Sequence, residues 1–126
     1  MAVNTIRPKT GGELRGFIEA YSHQKIARCY QCGKCTAGCP VAYAMDLTPR
    51  QVMRALQLGI EDELKRSATM WICFYCITCS ARCPREIDIA RVMEALRLAT
   101  GKEKVTAAQK NIKLFHELFL RPVKYW

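Results

Sequence analysis

Very little in this 126-residue sequence is equipped to make or break bonds. It contains two histidines, His23 and His116, both at helical positions, and each reads as a surface or interface residue rather than a ligand. No Gly-rich phosphate loop and no Ser/His/Asp set is present. No apolar run approaches the roughly 18 residues of a membrane span. The N-terminal text MAVNTIRPKTGG lacks the apolar stretch of a secretory signal, so secretion is unsupported. Named nucleic-acid motifs are missing, as is an aromatic platform outside the cysteine-rich segments. What remains is a soluble or peripheral chain with no acid–base or nucleophilic machinery.

What is there is a duplicated cysteine run. Cys29, Cys32, Cys35, Cys39 and Pro40 are repeated forty-four positions later as Cys73, Cys76, Cys79, Cys83 and Pro84, which uses all eight cysteines. CxxCxxCxxxCP is the ligation pattern of proteins that hold two [4Fe–4S] clusters, and such clusters move single electrons. A short loop supplies three corners of a cubane from residues three apart, and the fourth cysteine crosses to the other cluster. The expected ligand sets are Cys29, Cys32, Cys35 and Cys83 for cluster 1, and Cys73, Cys76, Cys79 and Cys39 for cluster 2. Three other readings compete. Eight cysteines in a small secreted protein read as a disulfide framework, but no secretory signal supports that here. Zinc is satisfied by CxxC pairs and gives no reason for a third and fourth cysteine followed by proline. A thioredoxin-type use of CxxC requires a βαβ pattern that is missing.

By length the chain is one domain, small enough that two clusters coupled to folding would act as internal staples. The formal charge of +9 overstates its basicity. An oxidised cluster with four thiolates carries about −2, which brings the holoprotein to about +5. Basic residues gather before the first run (Arg7, Lys9, Arg15, Lys25, Arg28) and near the C-terminus (Lys110, Lys113, Arg121, Lys124). An acidic protein partner fits them better than nucleic acid does.

Pro8, Gly11 and Gly12 mark residues 1–12 as a flexible arm, followed by a two-cluster domain over 13–104 and a C-terminal helix and tail over 105–126. Leu14, Phe17, Ile18 and Tyr21 predict a first helix with one apolar face. Thr48 and Pro49 start another helix with the stripe Val52, Met53 and Leu56 and a stop at Gly59. A short turn follows at Glu61 to Ser67. Asp88 caps the equivalent helix, whose stripe is Ile89, Val92, Met93 and Leu96. The two stripes match at a register of forty, so the first copy is four residues longer after its proline. From about Thr106 to Leu120 a last helix carries Ala108, Ile112, Phe115 and Phe119, with Leu114 and Leu118 beside them. That face suits either the chain's own core or a partner subunit, the latter expected for 105–126. Trp71, Phe74, Tyr75 and Ile77 make the second loop drier than the first, which predicts the lower potential for the cluster of Cys73, Cys76 and Cys79, with Arg82 and Arg85 opposing.

The text from CYQCGKCTAGCPVAYAMDLTPRQVMRALQLG to WICFYCITCSARCPREIDIARVMEALR resembles the C subunits of heterodisulfide reductases and the bacterial heterodisulfide-reductase-like complexes. The resemblance implies a mainly α, α-helical ferredoxin fold with two cysteine-rich cluster loops in a pseudo-two-fold loop–helix repeat. It also implies a non-catalytic subunit that relays electrons between an A-like flavin and iron–sulfur subunit and a B-like subunit with the disulfide- or sulfur-converting site. Such a relay meets no small-molecule substrate or nucleic acid, and would be cytoplasmic, reaching a membrane only through partners. The competing reading is the iron–sulfur domain of a quinone-linked membrane oxidoreductase, or a free ferredoxin-like carrier.

Overall fold

A computed structural model describes residues 12–101 and 110–125. The expected arm lies outside the described residues apart from Gly12, as do Thr106, Ala108 and Trp126. The described residues form no strand. Eight α-helices follow in order: α1 (Glu13–Ser22), α2 (Lys34–Gly38), α3 (Pro49–Leu58), α4 (Glu61–Arg66), α5 (Thr69–Ile72), α6 (Thr78–Arg82), α7 (Ile89–Gly101) and α8 (Lys110–Val123). The mainly α, α-helical ferredoxin architecture implied by the sequence is what the chain adopts.

The long helices form where caps and stripes predict. Thr48 and Gln51 close a reciprocal capping box, Pro49 takes the first turn, and Gly59 ends α3 at φ 69°. In the second copy, Arg91 N donates to Asp88 Oδ1 at 3.2 Å. Ile18, Val52, Met53, Leu56, Leu64, Met70, Val92 and Leu96 are all but inaccessible and form one core. Helix α1 runs along α7. Its own start is capped from a distance, since Leu14 N donates to Glu61 Oε1 at 3.0 Å. Of the four residues expected on the apolar face of α1, Leu14 and Ile18 are buried, whereas Phe17 and Tyr21 lie partly exposed and stack on each other. The α7 partner covers only a narrow stripe.

The short helices α2 and α6 lie inside the cysteine runs and pack against each other across the pseudo-two-fold axis. Their matching positions are Gly38 and Arg82. A Cβ at Gly38 would collide with Cδ of Arg82 and lie 2.7 Å from its Nε, so glycine here admits the opposing arginine.

On α8, Ile112 packs against the core, but Leu114, Phe115, Leu118, Phe119, Leu120 and Val123 are each at least half exposed. Packing of the whole stripe on the chain's own core, one of the two options open from sequence, is not what the described residues do.

Candidate metal centres

Each cysteine loop winds through the left-handed region twice, at equivalent positions. Gln31 and Gly33 have φ of 63° and 81°; forty-four residues on, Tyr75 and Ile77 have 61° and 58°. Alternation of right- and left-handed residues turns successive backbone N–H groups inward, making a nest suited to an anionic group such as an iron–sulfur cluster. Glycine adopts this at no steric cost. A β-branched Ile77 in the same place is strained, a kind of conformation that clusters at ligand-holding sites.

The loops and the crossing cysteines enclose two cavities. One is lined by Cys29, Cys32, Cys35 and Cys83, together with Gln31, Arg50, Arg85 and Ile89. The other is lined by Cys39, Cys73, Cys76 and Cys79, together with Val41, Met45, Ala90 and Met93. All eight sequence-picked cysteines thus line a cavity, four to each. No cysteine is paired in a disulfide, and among the described residues no three His, Cys, Asp or Glu side chains converge on a point that suits a single metal ion. Thiols spread around a hollow suit a multi-atom cluster better than a lone zinc.

Protonation points the same way. Burial pushes the Cys79 thiol up to about 11 and raises that of Cys35, so without a metal these groups stay neutral at pH 7. Cys76 is exposed and its thiol is lowered by the Thr78 hydroxyl, 3.4 Å from its sulfur. Iron takes up the charge that burial penalises, as a coordinating thiol is deprotonated outright. The residues present therefore fit two [4Fe–4S] clusters, each of which takes up and releases one electron at a time.

Hydrogen bonds repeat with the loops. Thr36 Oγ1 accepts from Arg50 N at 3.0 Å, and Ser80 Oγ accepts from Ala90 N at 3.0 Å, so the residue after the third cysteine caps the following long helix in both copies. Gln57 Nε2 donates to Ile26 O at 3.1 Å and Cys29 O at 2.8 Å. Its mate forty residues on, Arg97, donates to Met70 O from Nε (2.9 Å) and Nη2 (2.6 Å), and also to Cys73 O. The same two carbonyls of the turn that leads into each loop are held by a neutral amide in one copy and a cation in the other. The Arg97 guanidinium also lies 5.8 Å from the centre of the Trp71 ring. Asp46 ties the first unit to the second, accepting from Leu47 N, Ser67 Oγ, Ala68 N and Thr69 Oγ1 at 2.7–3.0 Å. Burial alone would raise its carboxyl, but the hydroxyls of Ser67 and Thr69 and the amides of Ala68 and Leu47 outweigh it and hold the group below its ordinary value.

Sequence reading did not single out Gln31, Asp46, Gln57 or Arg97. The register of forty that matches Leu56 and Leu58 with Leu96 and Leu98 also aligns Gln57 with Arg97, although nothing in the sequence says that both reach carbonyls. The drier second loop is corrected: Trp71 is buried, but Phe74 (59%), Tyr75 (47%) and Ile77 (54%) are exposed. Arg85, expected to act on the second cluster, lines the cavity of Cys29, Cys32 and Cys35 instead. Neither histidine lines a cluster cavity.

A family model for the 4Fe-4S dicluster domain matches residues 28–88. The iron-sulfur C subunit of the CoB–CoM heterodisulfide reductase of Methanopyrus kandleri is 40% identical over 91 residues, 71% of this chain and 47% of the relative. The C subunit of the H(2):CoB-CoM heterodisulfide,ferredoxin reductase of Methanothermobacter marburgensis is 34% identical over 85 residues, 68% of this chain and 46% of the relative. The C subunit of the Ferredoxin:CoB-CoM heterodisulfide reductase of Methanosarcina acetivorans is 41% identical over 72 residues, 57% and 29% respectively. The chain spans about half the length, or less, of these curated relatives. It is a 4Fe-4S dicluster protein related to the C subunits of the heterodisulfide reductases.

Proposed function

We propose that this chain is the electron relay of a heterodisulfide-reductase-type complex. It passes single electrons between an A-like flavin and iron–sulfur subunit and a B-like subunit that acts on a disulfide or sulfur substrate. In this reading Cys29, Cys32, Cys35 and Cys83 hold cluster 1, and Cys39, Cys73, Cys76 and Cys79 hold cluster 2. The observation that carries it is the division of the eight thiols into two four-cysteine cavities, each completed by a cysteine from the other run. Residues 13–104 are then the cluster-bearing domain and 105–126 the docking segment. The exposed stripe of α8 supports that role, since an apolar surface of this width is costly in water unless a partner covers it.

The test is anaerobic purification with iron and sulfide analysis, electron paramagnetic resonance and identification of co-purifying proteins by mass spectrometry. Eight irons per chain and a flavoprotein partner are expected. In C83S only the cluster of Cys29, Cys32 and Cys35 should change its signal, and in C39S only the other. Recovery of a partnerless monomer that reacts freely with diverse reductases would overturn the complex-subunit reading.

A further inference from the structure

Because the two units superpose in sequence, their cavities can be compared position by position. Residues of the first cavity before its crossing cysteine map forty-four positions on, and the flanking helix maps by forty. Gln31 corresponds to Tyr75, Arg50 to Ala90 and Arg85 to Val41. Each of the three polar positions of the first cavity is thus aromatic or aliphatic in the second. Gly33 and Ile77 complete an exchange of volume. The Arg50 stem packs beside Gly33, where a Cβ would lie 3.6 Å from its Cδ, whereas Ile77 and Ala90 line the second cavity together. The second lining thus lacks the two positive charges of the first.

Hydrogen bonding adds to the difference. Gln31 Nε2 donates to Cys29 Sγ at 3.3 Å and to Arg50 O at 3.2 Å, and the second loop has Tyr75 in that position. A donor to a ligand sulfur and a nearby cation both favour the more negative, reduced form. Arg97 lies against the Cys73 carbonyl and acts in the opposite sense. It shares a cavity with Glu94, whose carboxylate offsets it. The matching pair in the first copy, Arg54 and Gln57, is joined by a 3.2 Å hydrogen bond and keeps a net positive charge.

We propose that Arg50 and Arg85, with Gln31, set the reduction potential of the Cys29–Cys32–Cys35–Cys83 cluster above that of the Cys39–Cys73–Cys76–Cys79 cluster. Downhill electron flow then runs from the Cys73 loop to the Cys29 loop, so the delivering partner sits at the former and the receiving partner at the latter. The inference rests on the ligand sets proposed above. It keeps the order expected from sequence but on different grounds: charge at the first site, not dryness at the second. Each step adds one electron to one cluster, supplied in the test by a low-potential one-electron mediator, with no bond made or broken.

The experiment is an anaerobic redox titration of the full chain followed by electron paramagnetic resonance, with C32S and C76S used to assign each signal. Iron and sulfide content is measured first. A count short of two clusters, or C83S disturbing the wrong signal, would defeat the ligand assignment and not the tuning argument. With the assignment in place, the Cys29-loop cluster should take up its electron first. A unit charge about 10 Å away in an effective dielectric of about 20 shifts a one-electron equilibrium about tenfold. R50Q/R85Q removes two such charges and should accordingly lower the reduced-to-oxidised ratio of that cluster about 100-fold at fixed poise, equivalent to about 118 mV. The other midpoint should stay in place, and R50K/R85K should restore the wild-type value. Reduction of the Cys73-loop cluster first, an unmoved midpoint in R50Q/R85Q, or the same downward shift in R50K/R85K as in R50Q/R85Q would overturn the proposal.

Discussion

Replacing Arg97 by methionine removes a guanidinium whose Nε and Nη2 hold Met70 O at 2.9 and 2.6 Å and whose Nη2 also holds Cys73 O. The methionine stem retains much of the packing beside Trp71. What is lost is the pairing of two carbonyls, each worth about 1.5–3 kcal/mol when the donor is charged. Part of that is returned because the half-buried guanidinium no longer has to be dehydrated, so the net cost of R97M comes to about 3 kcal/mol. Glutamine is the informative control. In the first copy Gln57 already reaches both equivalent carbonyls, so R97Q should keep two neutral bonds of about 1 kcal/mol each and cost about half as much. Unfolding a cluster protein is irreversible, so the readout is a rate: bleaching of the visible cluster absorbance in denaturant under anaerobic conditions. R97M should bleach up to about 100-fold faster than wild type, R97Q about tenfold, and Q57L about tenfold from the other loop. Bleaching of R97M within twofold of wild type, or of R97Q as fast as R97M, would refute the pseudo-symmetric clamp.

Other expectations follow from the contacts around the loops. D46A should cost about 2–3 kcal/mol because it strands the buried hydroxyls and amides that its carboxylate collects, read as faster cluster loss at pH 7. Since the folded carboxyl titrates below its ordinary value, its stabilisation is present above about pH 4 and is lost as pH falls through the folded value. The gap in bleaching rate between wild type and D46N should therefore close on acidification; a gap that widens below pH 4 would contradict the assigned direction. G38A should cost about 1 kcal/mol through contact with Arg82, and R82A should remove that cost in the double variant. Additive effects of the two would mean that they do not meet. Stripping both clusters with a chelator should collapse the far-ultraviolet helical signal, because the loops close around their ligands and the core around the loops.

The long helices were legible from local chemistry alone. Thr48–Pro49, Gly59, Asp88 and the two matching stripes carry their own start, stop and buried face, and the eight cysteines carry their own spacing. The short helices α2 and α6 were not legible: five residues around ligands have no apolar period of their own, and they are helical because the loop fixes both ends. Exposure failed for Phe74, Tyr75 and Ile77 for a related reason. Aromatic residues in a cysteine run suggest a dry pocket, but Phe74, Tyr75 and Ile77 line the cavity while keeping about half of their surface in solvent. Arg85 was assigned to the wrong site because Cys83, two residues before it, lines the cavity of the other cysteine run. The exchange of Gln57 for Arg97 needed coordinates, since amide and guanidinium share no sequence pattern.

Cys35 lies within α2 and Cys39 caps its C-terminal end, and Cys79 and Cys83 take the same places on α6. With the proposed ligation, each helix is a single covalent span of four residues joining one cluster to the other. The two spans lie side by side where α2 meets α6, so in that reading the clusters are tied twice over by one pair of packed helices. The separation of the two clusters would then be set by helix geometry and not by the breathing of a loop.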